Sequence, residues 1–146
     1  MTVNILGIPG SLRRNSLNRS LLRAAAEIAP DGVNIEVADL GDIPLYNWDL
    51  EQEQGFPESV ERFRRQVADA DALLIATPEY NNSVPGALKN AIDWASRPWS
   101  DNSFDHIPAA VIGASPGSIG TAVGQQSLRA VLGFCNARQM TAPEAY

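Results

Sequence analysis

The pattern that most constrains this chain is an alternation of short apolar runs with longer stretches of helical period. Val3 to Ile8 is apolar and stops at Pro9-Gly10, which reads as a buried strand entering a loop. Leu17, Leu21, Ala25 and Ile28 then recur at helical spacing, so they are expected on one inward face. Pro30-Asp31-Gly32 ends that helix with turn chemistry. Val33, Ile35 and Val37 alternate with polar neighbours up to Ala38, a strand of period two. Asp39 to Pro57, with its prolines, glycines and acids, reads as one long loop. A second helix is expected over 58–70, with Val60, Phe63 and Val67 inward. Ala72 to Ala76 is continuously apolar, as a strand buried on both faces must be. Pro85 suits the first turn of a helix reaching Ser96, with Leu88, Ile92 and Ala95 on one stripe. Pro108 to Ala114 is another buried strand. A Gly-rich loop follows, then a helix over 122–134 with Leu128, Val131 and Leu132 inward, and Ala137 to Tyr146 resembles the start of a fifth strand. Strands alternating with helices imply right-handed βαβ units and a doubly wound parallel sheet, here five strands in the order 2-1-3-4-5. Ligands of such sheets bind in the crevice at the carboxyl ends of the strands. No repeat or linker interrupts the pattern, so one α/β domain over residues 1–146 is expected.

Charge and cysteine narrow the function. Seventeen acidic against eleven basic side chains give a net charge of -6, which disfavours nucleic acid or an anionic membrane as partner. No apolar run reaches the roughly 20 residues of a membrane span, and no secretory signal pattern opens the chain. The single Cys135 excludes an internal disulfide and argues against a thiolate metal site. A cytoplasmic protein without a metal is expected.

The loop after the first strand reads Gly10-Ser11-Leu12-Arg13-Arg14-Asn15-Ser16-Leu17-Asn18. A helix amino terminus at such a crevice is an anion site, through its unpaired N–H groups and the positive end of its dipole. Gly10 permits a tight turn, Ser11 and Ser16 carry hydroxyls, Arg13 a fixed charge and Asn18 an amide, a donor set matched to a phosphate monoester. Ser16 is equally a normal helix cap. Three competitors fail on missing chemistry. The chain lacks Gly-x-x-x-x-Gly-Lys-Ser/Thr, has no cysteine in this loop, and has Ile8-Pro9 where a phospho-acceptor domain needs acids.

After the third strand comes Thr77-Pro78-Glu79-Tyr80-Asn81-Asn82-Ser83-Val84-Pro85-Gly86-Ala87-Leu88-Lys89-Asn90-Ala91-Ile92-Asp93-Trp94. Its backbone N–H groups could meet the polar edge of a planar heterocycle, while Pro78 and Tyr80 offer flat apolar surface. A well-capped loop over a core tryptophan accounts for the same residues. Together with Gly10-Ser11-Leu12-Arg13, Ser16, Asn18, Asp42-Ile43-Pro44-Leu45-Tyr46 and Gln54-Gly55-Phe56-Pro57, however, this string resembles the NADPH-dependent FMN reductase family over nearly the whole chain. That family has a three-layer flavodoxin-like fold and includes quinone, chromate and azo-dye reductases.

The resemblance implies non-covalent FMN, reduced by NADPH or NADH and reoxidised by a quinone or similar small electrophile (a flavin, chromate or an azo compound). Ser11, Arg13, Ser16 and Asn18 are then expected on the phosphate, with Leu17 beside them. Pro78, Glu79, Tyr80 and Asn81 are expected along the ring and ribityl chain, with Ser115 and Gly117 on the far side of the ring. No side chain is expected to be catalytic, since the flavin carries the reaction, and the lone His106 lies outside the crevice. Lys89, Asn90 and Asp93 read as structural. A homodimer is implied, with Trp94 and Trp99 at its surface, and the tetramer of some relatives stays open because Val123 and Gln126 replace an arginine and a tyrosine. A flavodoxin-type electron carrier and a flavin-free interaction domain are the alternatives. The family continues past Tyr146 into a last helix, so a C-terminally truncated chain with some apolar sheet surface uncovered is expected.

Overall fold

The computed structural model describes residues 2–146. The elements run β1 (Val3–Pro9), α1 (Leu17–Glu27), β2 (Val33–Val37), α2 (Trp48–Gln54), α3 (Glu58–Asp69), β3 (Ala72–Ala76), α4 (Gly86–Ala95), β4 (Pro108–Ile112), α5 (Ala122–Phe134) and β5 (Arg138–Gln139). The strands form one sheet in the order β2-β1-β3-β4-β5, every neighbouring pair parallel. That is the doubly wound order expected from the alternation.

Period two decides which side chains meet which helices. Leu6 and Ile8 on β1, Leu73 and Ile75 on β3, and Ala109 and Val111 on β4 share one face. They cluster with Phe63 and Val67 of α3, Leu88 and Ile92 of α4, and Leu128 and Leu132 of α5. Fully burying each large apolar side chain stabilises the fold by about 1.5–3 kcal/mol, so this face carries the main core. On the opposite face Gly7 pairs with Leu74, and Leu74 with Ala110. α1 reaches this face because Gly7 has no side chain: a Cβ there would stand 3.3 Å from Leu22 Cδ2. Leu74, Ala110 and Ile112 remain half-buried.

The fold departs from the periodicity at four points. The buried apolar residue of α1 is Leu22, while Leu17 is 52% exposed and Ile28 lies open, because the room left by Gly7 selects the facing residue. The expected loop over 39–57 contains α2, which buries no residue. It is held by local chemistry: Asn47 accepts from the Asp49 amide, and Asp49 and Glu51 sit in the first turn. Trp94 is fully buried rather than at a dimer surface. Its Nε1 donates to Pro44 O at 2.8 Å, and Asn90 clasps the same segment by donating to Pro44 O and accepting from Tyr46 N, both at 2.8 Å. The fifth strand is only two residues long. Beyond it the chain rejoins the sheet where Gly113 N donates to Ala145 O at 3.0 Å.

Candidate functional site

Parallel strands bring the loops after β1, β3 and β4 to one edge of the sheet, and short backbone bonds set their spacing. Gly10 N donates to Ala76 O at 2.8 Å, and Thr77 N to Ile112 O at 3.0 Å. The first two loops touch closely: a Cβ on Gly10 would stand 2.9 Å from Thr77 Oγ1 and 3.0 Å from Pro78 Cδ. The loops enclose a cavity of about 260 Å³ lined by Ser11, Arg13, Ser16, Leu17, Asn18, Pro78, Glu79, Tyr80, Ala114, Ser115 and Pro116. A larger cavity of about 470 Å³ lies between β1, β2 and α3. There Arg62 is paired with Asp42, and Gln66 donates to Glu36.

The first loop folds around its own side chains. Arg13 N donates to Ser11 Oγ at 3.3 Å and Ser16 N to Arg13 O at 3.2 Å, closing a tight turn. Ser16 then caps α1 by accepting from Arg19 N at 3.2 Å. Ser11 and Ser16 are 4% and 3% exposed. Arg13 is exposed and has no ion-pair or hydrogen-bond partner for its guanidinium among the described residues. A free cation therefore stands beside two buried hydroxyls and a helix amino terminus, a set that fits a phosphate monoester.

Asn18 has a different task. Its Nδ2 donates to Ala114 O and its Oδ1 accepts from Ala114 N, both at 2.9 Å. The side chain lines the cavity while its amide ties α1 to the loop after β4. Asn18→Ala removes both bonds and is expected to cost about 2 kcal/mol. Thermal melts of flavin-free protein should read this as a fall in Tm of about 4–8 °C, and an unchanged Tm would show that the clasp carries no stability.

In the second loop Asn81 and Asn82 both have positive φ, at 52° and 57°, between the paired residues Tyr80 and Ser83. This is the geometry of a type I′ turn, for which asparagine is suited. Asn81 lies outside the cavity lining, whereas Tyr80 crosses to the first loop, its hydroxyl 3.3 Å from Ser11 Oγ. In the third loop Ser115 lines the cavity and accepts from Gly117 N at 3.1 Å. Gly117 lies outside the lining. Ala114 and Pro116 belong to it and carried no signal beyond flanking Ser115. His106 stands before β4, at the far edge of the sheet, with a φ of 59° and hydrogen-bonding to Asn136. Burial pushes the Cys135 thiol up, and that side chain packs in the core.

The comparisons with known proteins converge on one family. The model of the NADPH-dependent FMN reductase family matches residues 3–146. The chain belongs to the NADPH-dependent FMN reductase family. It is 52% identical to an NAD(P)H-dependent FMN reductase of Pseudomonas aeruginosa, over 97% of this chain and 76% of the relative. It is 47% identical to a 2-hydroxy-1,4-benzoquinone reductase of a Burkholderia species, over 100% of this chain and 79% of the relative. Among solved structures it resembles FerB, a flavoenzyme NAD(P)H:(acceptor) oxidoreductase from Paracoccus denitrificans. The TM-score is 0.93 and the identity 43%, over 99% of this chain and 79% of that one. Membership defines a flavodoxin-like oxidoreductase that works with FMN and NAD(P)H.

Proposed function

We propose that the crevice formed by the three loops holds FMN, with its phosphate on Ser11, Arg13, Ser16 and the amino terminus of α1, and that the acceptor is a quinone. Bound FMN supplies hydride acceptance from NAD(P)H and two-electron delivery to that acceptor. The observation that carries this reading is the free guanidinium of Arg13 beside two buried serine hydroxyls in one cavity. Pro78 and Tyr80 give the ring an apolar flank. Among the backbone N–H groups of the Pro78–Ser83 and Ala114–Gly117 loops, those of Glu79, Asn81, Asn82 and Ser115 have no acceptor among the described residues and are the donors suited to its polar edge. The amides of Tyr80, Ser83, Ala114 and Gly117 are already bonded. A cavity of about 260 Å³ is smaller than the roughly 300–1,000 Å³ of sites that enclose a drug-sized ligand. It grips one end of a flat molecule and leaves a face open, as exchange between a reduced nicotinamide and an acceptor requires. The cytoplasm, with its pool of reduced nicotinamide, is the compartment that suits this activity. Purified protein mixed with FMN should show a protein-bound flavin band that bleaches on anaerobic addition of NADPH and returns on addition of benzoquinone. A band that NADPH cannot bleach would leave only an electron carrier.

The same reading makes the protein a homodimer. Trp99 and Phe134, 70% and 77% exposed, stack edge to face at 6.1 Å, and the Arg97 guanidinium lies 3.9 Å over the Trp99 ring. An exposed aromatic pair backed by arginine has the composition of an interface centre. Trp99→Asp is expected to shift the protein from dimer to monomer at micromolar concentration in light scattering. A dimer unchanged by that substitution would place the interface elsewhere.

A further inference from the structure

The acidic side chain of the second loop stands in a crevice meant for an anion, yet it is already engaged. Glu79 Oε2 accepts from Gly124 N at 2.7 Å. Gly124 is the third residue of α5, where an amide has no partner within its own helix. Nothing local serves that amide. The residue preceding the helix, Thr121, makes no side-chain cap, its hydroxyl accepting instead from Gln125 Nε2 at 2.9 Å, and no acid lies in the first turn. The helix backbone also presses on the loop: a Cβ on Gly124 would stand 3.2 Å from Glu79 Cβ, Glu79 Cγ and Ser83 O. α5 therefore holds the loop at both ends of its turn, and Tyr80 between them reaches Ser11.

We propose that Glu79 is a positioning residue. Its carboxylate caps α5 across the chain and so sets where the Pro78–Ser83 backbone stands, without touching the flavin. This rests on the FMN site assigned above. It separates the side chain of Glu79 from its backbone, which alone faces the ring. A carboxylate spent on a helix amino terminus is stabilised there by the dipole, and what matters is its acceptor oxygen rather than its charge at the flavin.

The test compares Glu79→Gln, Glu79→Ala and Gly124→Ala. In flavin-free protein the Gly124 amide should exchange with solvent about tenfold faster in Glu79→Ala than in wild type, because its capping acceptor is gone. Glu79→Gln keeps an acceptor and should hold that protection. On titration with FMN, Glu79→Ala and Gly124→Ala should each raise Kd about tenfold, with the double variant no worse than either. Glu79→Gln should stay within about threefold of wild type. Equal exchange of Gly124 in wild type and Glu79→Ala overturns the cap. Lost protection with unchanged FMN affinity overturns the positioning role alone and leaves the flavin site standing. An equal shift of the flavin midpoint potential in Glu79→Gln and Glu79→Ala means that Glu79 acts on the ring by its charge, and overturns it too. Wild-type protein that takes up no FMN removes the proposal together with the site.

Discussion

Replacing Arg13 and Ser16 together with alanine is expected to raise the Kd for FMN at least about 100-fold. Each charged hydrogen bond to a phosphate is worth about 1.5–3 kcal/mol, and 1.4 kcal/mol is a factor of ten. The Arg13 guanidinium has no competing partner among the described residues, so its full strength goes to the ligand. Ser16 contributes twice. The residue lines the cavity, and its hydroxyl accepts from Arg19 N at 3.2 Å, fixing the first turn of α1 whose amides complete the anion site. Loss of that cap costs about 1 kcal/mol of stability, so Tm of the flavin-free double variant should fall only slightly while affinity falls steeply. Fluorescence titration of FMN with both proteins checks this. A double variant that binds FMN as tightly as wild type would remove the first loop from the site.

Gly113→Ala is expected to destabilise the fold by about 3 kcal/mol or more, since overpacking a buried site against fixed backbone has no cheap relaxation. A Cβ at this position would fall 2.7 Å from the Thr77 carbonyl oxygen and within the space of the Thr121 side chain. Neither neighbour is free to retreat. Thr77 is bound by its amide to Ile112 O at 3.0 Å and by its hydroxyl to Pro78 O at 2.8 Å, and Thr121 accepts from Gln125. For a chain of this size the loss corresponds to a fall in Tm of about 6–12 °C. Flavin affinity should drop with it, because Pro78 and Ala114, the chain neighbours of Thr77 and Gly113, line the cavity. Gly117→Ala is the control, since its Cβ would meet only Ser115 Oγ at 3.3 Å, and its Tm should stay within about 2 °C of wild type. Equal melting of Gly113→Ala and wild type would show that the approach of β4 to the Thr77 loop is looser than described.

Elements whose residues are patterned by burial were legible in the sequence. The continuous run Ala72–Ala76 and the alternating Val33–Val37 both emerge as strands, and the stripe Leu88, Ile92, Ala95 is buried on α4. α2 was not legible because it buries nothing and so leaves no stripe; its signals were local ones, Asn47 as cap, Asp49 and Glu51 in the first turn and Gly55 at its end. The inward face of α1 was misread for a tertiary reason, the gap at Gly7 admitting Leu22 where the spacing favoured Leu17 and Ile28. The location of the cavity was readable, because parallel topology forces the loops after β1, β3 and β4 together. The private partners of its polar side chains were not. Asn18 spends its amide on Ala114 and Glu79 its carboxylate on Gly124, both distant in the chain, and no local pattern announces such bonds. The role of Asn81 could have been found, since an Asn-Asn pair is itself a signature of the turn it makes.

Titration of the wild-type protein with FMN and with riboflavin tests the whole account most directly, because the two ligands share the ring and differ in the phosphate. An anion site built from Arg13, two hydroxyls and a helix terminus predicts that riboflavin binds at least about 100-fold more weakly than FMN. Equal affinity for both would contradict it.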